Sequence, residues 1–430
     1  MRISNPPFSA QLFQAVYGAQ PQLVGASPSF YDFVASTVTG FLPTGVTAAR
    51  ASAGSYNGVG GTIVSAASDV PRFAYRYSGG LWVPDGLLIE GPGTNLVTYS
   101  EEIDNALWGK GQITISANAT TAPDGTLTAD AVVESSATAN HNLGQLVTYV
   151  AATPYWHSVF AKPDTRGWIY IFTDPTRFGG GNGYTYFNLS TGAVGTTSPG
   201  ATAFMTQEAN GFWRCVVNRT PSSPGGGNFI VGLASGDNTS WYAGDGSSKA
   251  YLWGVNVVQG DALSSYIKTT SAPASRAADE VRITNANALA DQAWIIKARA
   301  PRKISAGAIN TVMQVDDGGP NNRRVARIGT DGKLHVLAIA AGSTQADLDM
   351  SAISNDAGFI LADRFADAKF GASRDAGAIV TETTAGRINP LGGTTVRLGS
   401  SSAGEYLNST IRTVETRRTA SDAELPLLAA

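Results

Sequence analysis

The stretch Tyr155-Trp156-His157-Ser158-Val159-Phe160-Ala161, followed by Trp168-Ile169-Tyr170-Ile171-Phe172, decides the fold class. Successive side chains of an extended strand point to opposite faces. Tyr155, His157, Val159 and Ala161 therefore share one face, and Trp156, Ser158 and Phe160 the other. Five to seven residues of this kind, closed by Lys162-Pro163-Asp164 and by Thr173-Asp174-Pro175, read as short strands between turns.

The same grammar extends outward in both directions. Ile113 to Ala117, Tyr184 to Phe187, Trp213 to Val217, Phe229 to Leu233 and Tyr251 to Val255 complete a strand set between residues 93 and 276. Short strands at this spacing predict an antiparallel β-sandwich of jelly-roll type. Val281-Arg282-Ile283, Ala293 to Ala298, Thr311 to Val315, Arg324 to Ile328, Lys333 to Leu337, Val396 to Gly399 and Thr410 to Val414 predict a second sandwich over 277–430. Asp316-Asp317-Gly318-Gly319 and Thr330-Asp331-Gly332 are its turns. Thr269 to Ala278, small, polar and carrying Pro273, reads as the linker. Residues 1–92 read as a small N-terminal attachment and oligomerisation region. It has helical spacing at Leu12, Phe13, Val16 and Tyr17, Gly-rich hairpin material, and a strand at Gly86 to Glu90. Leu12, Phe13, Tyr17 and Phe30 are expected to bury against another subunit. The expected class is all-β, with two antiparallel β-sandwiches in tandem after that region.

Composition supports this reading. The chain has 430 residues, of which 49 are Gly and only 15% are charged, which leaves little for helix surfaces. A net charge of -3 gives little electrostatic pull on nucleic acid. The single Cys215 allows no internal disulfide and reads as a buried strand thiol beside Phe212, Trp213, Val216 and Val217. No apolar run approaches membrane-spanning length, and Met1 to Pro7 lacks an apolar secretory core. Membrane insertion and a signal peptide are therefore not expected.

The region 93–276, with Leu87-Leu88-Ile89-Glu90 at its entry, resembles a carbohydrate-binding-like module of phage tail, fibre and spike proteins. The resemblance runs in order through Thr94-Asn95-Leu96, Tyr99-Ser100-Glu101, Trp108, Ala122-Pro123-Asp124-Gly125-Thr126, Ser158 to Lys162, Phe187 to Gly192, Gly211 to Cys215, Tyr251 to Gly254 and Ser265-Tyr266-Ile267. The region 277–430 is similar to concanavalin A-like lectin/glucanase sandwiches appended to phage fibres. That similarity rests on Asp316 to Arg324, Asp331 to Leu334, Val396 to Gly399, Tyr406-Leu407-Asn408 and Arg417 to Leu425. Together these resemblances imply a virion structural protein: a tail fibre, tip or spike subunit, or a head-surface fibre. They imply other virion proteins as partners through the N-terminal region, copies of the chain itself (a trimer by analogy), and a host-surface glycan. Fold does not fix function, and sugar binding does not follow from the resemblance alone.

Candidate chemistry is sparse. Glu102-Ile103-Asp104 begins the Glu-x-Asp-x-x-Glu pattern of lectin-fold glucanases, but Leu107 stands where the last carboxylate is needed. No catalytic residue, cofactor or metal ligand set is expected; Asp316-Asp317 and Asp245-Gly246 lack the alternating ligands of a calcium loop. Sugar recognition requires aromatic faces beside planar polar groups. Trp241-Tyr242 with Asp245 is the best loop pair, and Trp168 and Tyr170 with Arg166 come second. Trp213 and Trp253 read as core. A polysaccharide depolymerase and a purely structural adaptor are the rival readings.

Overall fold

Why both faces of Tyr155–Pro163 are apolar is answered by what lies above and below that strand. The computed structural model describes residues 29–284, 293–305, 307–366, 369–382, 394–417 and 420–430. The helix expected around Leu12, Phe13, Val16 and Tyr17 lies outside them. Within them the fold is all-β, built from antiparallel sheets in two sandwiches.

The first sandwich spans the middle of the chain. One sheet runs Thr202–Gln207, Trp213–Arg219, Tyr155–Pro163, Lys249–Gln259, Ala129–Glu134, Ile113–Thr120. The facing sheet runs Ala193–Val194, Tyr184–Asn188, Trp168–Thr173, Gly225–Ala234, Thr138–Tyr149, Trp241–Ala243. Tyr155, Val159, Ala161, Ile169, Ile171, Phe187, Cys215, Val231 and Leu252 fill the space between them. Cys215 is fully buried, and burial pushes its thiol well up. The triplet Gly225-Gly226-Gly227, which reads as a loop tip, is instead the start of a strand paired to Val147 to Tyr149. Glycine is needed there because a Cβ at Gly227 would fall 2.6 Å from Arg177.

The second sandwich draws on both ends of the chain. One of its sheets runs Val380–Glu382, Lys369–Arg374, Gly358–Ala366, Ala293–Arg299, Ser409–Arg417, Leu81–Ile89, Phe73–Ser78, with Ser29–Asp32 also paired to Ser409–Arg417. The other begins with Val46–Ala49, which pairs with Glu280–Ile283 in the register Thr47 to Arg282. Tyr31, Phe33, Phe73, Leu87 and Ile89 share one core with Trp294, Ile296, Val312, Val396 and Ile411. Residues 29–92 therefore do not form a separate unit before the sandwiches. They supply strands to the sandwich of 277–430, and the jelly roll is inserted between. Phe30 is 47% exposed on this assembly. The linker reading of Thr269 to Ala278 changes with it. Ala274–Arg276 pairs with Gly93–Asn95, and Thr269 and Arg276 are buried.

A hairpin of Gly54–Asn57 and Ile63–Ala66 reaches from the second sandwich to the first. Its Ile63 packs with Phe160, Phe212, Trp253 and Tyr266 on the outer face of the first sheet. That contact is why Phe160, on the face away from the core, is as buried as Val159.

Candidate functional site

The outer face of the sheet containing Trp168–Thr173 carries five aromatic side chains, Trp168, Tyr170, Phe172, Tyr184 and Tyr186. Alternation places Trp168, Tyr170 and Phe172 outward and Ile169 and Ile171 in the core. The register sets Tyr170 beside Tyr186 on one side and Gly232 on the other, and Phe172 beside Tyr184 and Ile230. Tyr184 meets Tyr170 edge-on at 5.1 Å and stacks with Tyr186 at 6.1 Å. Trp168, Phe172 and Tyr184 are half-buried, so parts of their rings meet solvent.

Beside this ridge the face is low. Gly232, Gly144 and Ala234 continue it toward Asn140 and Asn142, and a Cβ on Gly232 would fall 2.3 Å from Tyr170 Cζ. On the far side stands Trp241, paired to Asn140 in the short edge strand Trp241–Ala243 and 64% exposed. The result is a shallow trough of small residues and two carboxamides, with an aromatic ridge on one side and a protruding indole on the other.

The six sequence-predicted residues part into two groups here. Trp168, Tyr170 and Trp241 belong to the outer face, but Tyr170 is its foundation and not its surface. Its ring is buried and its hydroxyl accepts from Asn142 Nδ2 at 3.1 Å. Burial raises its pKa. Arg166, Tyr242 and Asp245 converge instead on Glu134, a buried carboxylate at the end of Ala129–Glu134. Arg166 donates Nε at 3.0 Å and Nη2 at 2.5 Å, the Tyr242 hydroxyl donates at 2.7 Å, and the Asp245 amide at 3.0 Å. Arg166 also lies 5.0 Å from the Tyr242 ring centroid, and His141 packs on that ring at 4.8 Å. Burial raises the Tyr242 pKa, and the hydrogen bond to Glu134 adds to it. The Asp245 carboxylate accepts from the amides and hydroxyls of Ser247 and Ser248. These three residues lock the loop that presents Trp241, and the Tyr242 hydroxyl and the Asp245 carboxylate are occupied in doing so. The sequence reading missed Glu134, whose place at the end of an apolar strand gives no local sign of its partners.

The lures for other chemistry resolve by placement. Glu102 and Asp104 are exposed in a turn whose carbonyls at Asp104 and Asn105 accept from Lys110 Nζ. Asp331, His335 and Asp349 bring ligand atoms within 4.8 Å on a surface hairpin of the second sandwich. Lys333 Nζ sits 2.7 Å from Asp349 and 3.7 Å from Asp331, an ammonium where a cation would neutralise charge. Trp253 is 1% exposed and donates to Thr128 Oγ1 at 3.1 Å. Among the described residues no helix is long and apolar enough to cross a membrane.

No family model matches the chain, and no curated protein matches it. Among solved structures it is similar to the CBM40 module of the Ruminococcus gnavus IT-sialidase bound to α2,3-sialyllactose. That similarity has 18% identity and a TM-score of 0.29, and covers 33% of this chain and 84% of that one. The same module without ligand gives 18% and 0.28 over 33% and 84%. Bound to α2,6-sialyllactose it gives 16% and 0.28 over 33% and 85%. The likeness concerns a third of the chain.

Proposed function

We propose that the chain is a non-catalytic, glycan-recognising structural component of a phage-like particle, and that the trough between Trp168 and Trp241 is its sugar-binding surface. The observation that carries the binding reading is Trp241: a large indole, 64% exposed, held in place by a strand pairing and by the Glu134 lock behind it. Exposing that much apolar ring on a rigid mount has no stabilising return in the free protein. It suits a pyranose, whose C–H face packs on an aromatic ring while its hydroxyls reach neighbouring amides. Asn140 and Asn142 stand beside the ring, and neither carries charge, which favours a neutral sugar at this face. The particle context rests on the ordered motif resemblance of residues 87–267 to phage fibre modules, and the partners remain virion proteins and further copies of the chain.

A glycan array probed with the full chain tests the reading. Retention of neutral glycans that is lost in Trp241→Ala, with no release of reducing sugar from the retained polysaccharide, is the expected outcome. Release of reducing ends would favour a depolymerase. No retention at any glycan density would favour a purely structural adaptor.

A further inference from the structure

A second concave site lies away from the trough, where the two sandwiches meet. It is a cleft of about 450 Å³ between the outer face of Trp213–Arg219 and the sheet edge at Phe73–Ser78 and Leu81–Ile89. Volumes of this order are typical of small-ligand clefts. Its aromatic wall is Trp82, met edge-on by Tyr77 at 5.7 Å. Trp82 lies across Gly61, where a Cβ would fall 2.0 Å from the indole and where φ is +78°. The hairpin that bridges the sandwiches thus fixes this ring.

The polar lining is unbalanced. Arg76 and Arg299 share Asp85 at 3.1 Å and 3.0 Å, and Glu90 is held by Arg72 behind the cleft at 2.5 Å. Arg214, Arg302 and Lys303 have no carboxylate at ion-pair distance among the described residues. Two further carboxylates line the cleft: Asp356, at the rim 3.9 Å from Arg299, and Glu208, which accepts from Asn57 Nδ2 and Thr206 Oγ1, both at 2.8 Å. Arg214 is the unusual member. It is 8% exposed, and its Nε and Nη2 donate to Ser158 Oγ at 3.3 Å and 3.2 Å. Nη2 also donates to the Ser264 carbonyl at 2.9 Å, which leaves Nη1 without a hydrogen bond among the described residues. Burying a guanidinium with no carboxylate in direct contact costs stability, and Glu208 offsets that only at a distance. The Phe160 ring 5.4 Å away returns only part of it. Burial also lowers its pKa to about 10, which leaves it charged at neutral pH.

We infer that this cleft binds the carboxylate of an acidic sugar residue, with Arg214 and Arg302 facing the anion and Trp82 packing on the ring. Ser158 Oγ and the Ser264 carbonyl hold the Arg214 guanidinium in place before any ligand arrives, whereas the Lys303 ammonium is held at the margin by Thr202 and Asn218. A pre-positioned cation in a partly desolvated cleft favours carboxylate recognition. This inference does not depend on the trough: the two sites share no residue.

The test uses the full chain and oligogalacturonate, with its methyl ester as the neutral counterpart and inorganic sulfate as the sugar-free anion, read by calorimetry. Binding of the acid, with at least tenfold weaker binding of the ester and a further loss as salt rises, is expected. Arg302→Ala, at an exposed position, should weaken the acid at least fivefold with the melting curve unchanged, and Trp82→Ala should weaken it as well. Trp241→Ala should leave it unchanged, which separates this site from the trough. Acid and ester binding alike, sulfate binding as tightly as the saccharide, or full affinity in Arg302→Ala and Trp82→Ala would each overturn the proposal.

Discussion

Arg72 Nη2 donates to Asp279 Oδ2 across 207 residues of chain, with both side chains buried. Arg72 Nη1 reaches Glu90 at 2.5 Å, Arg50 Nη1 reaches the other Asp279 oxygen at 3.1 Å, and Arg276 lies 3.6 Å from Glu90. Glu90 directly follows the strand Leu81–Ile89, from which the chain leaves the second sandwich, and Arg276 and Asp279 stand where it returns. One buried ionic cluster therefore closes the neck of the insertion. Burial opposes the charge on Glu90, yet Arg276 and Arg72 outweigh it and hold the carboxyl at about 2. Removing one partner leaves the others uncompensated. Asp279→Asn is expected to cost about 3–5 kcal/mol by chemical denaturation at neutral pH. A loss below about 1 kcal/mol would show that the cluster is not what holds the neck.

The insertion also changes what a nick does. Thr270, Ser271, Ala272 and Pro273 form an exposed tip, while the backbone on either side is paired or buried. Cleavage there should leave a single species by native size exclusion, because residues 29–89 complete the sandwich of 277–430. Two folded fragments that separate without denaturant would contradict the shared core. By the same reasoning 277–430 expressed alone should not fold, since it lacks the strands that carry Leu87 and Ile89.

The strands were legible from the chain, and their partners were not. Trp168 to Phe172 and Tyr155 to Ala161 announce themselves by alternation, because one face meets a core. Ser343–Ala352 alternates Ala346, Leu348 and Met350 with polar residues, but its Ser, Gln and Asp content masks the pattern. Register is a non-local quantity. Nothing near Thr47 points to Arg282, or near Leu87 to Ile411, and those pairings decide the topology. The site shows the same division. Trp241 was visible as a loop aromatic, whereas Tyr170 shares the alternation of Trp168 and is nevertheless buried. The difference is made by Tyr184, Tyr186 and Gly232, each distant in sequence.

His157 makes the first sandwich sensitive to acid. It is enclosed by Tyr149, Phe178 and Phe229, and burial lowers its pKa from 6.5 to about 3. An imidazole depressed in the fold takes its proton first in the unfolded chain. Its contribution is therefore complete above pH 6.5 and is lost as pH falls from there toward 3. Asp130, raised to about 6 by burial, acts in the opposite sense, losing stability as pH rises from 3.8 toward 6. The informative quantity is thus a difference between variants. His157→Phe should gain on the wild type by up to about 1.4 kcal/mol per pH unit below 6.5. A parallel pair of stability curves between pH 7 and 4.5 would show that His157 protonates in the folded state.

Trp241 and Trp253 lie in the same sandwich and separate recognition from stability. Trp241 is 64% exposed on an edge strand, so its truncation removes little buried surface. Trp241→Ala should leave the melting curve nearly unchanged and weaken binding of a neutral glycan retained on an array by about 1–3 kcal/mol, the scale of one aromatic hot spot. Trp253 is 1% exposed, 5.4 Å from Phe160 and 4.8 Å from Tyr266, and it helps seat the bridging hairpin through Ile63. Trp253→Ala should cost about 3–5 kcal/mol as a core truncation. Because that cavity opens under the hairpin, the loss should extend to the cleft between the sandwiches, whose Trp82 rests on Gly61 of the same hairpin. If Trp241→Ala unfolds the sandwich, the indole is a structural element and the trough is not a binding surface. If it alters neither stability nor binding, the glycan contact lies elsewhere on the chain.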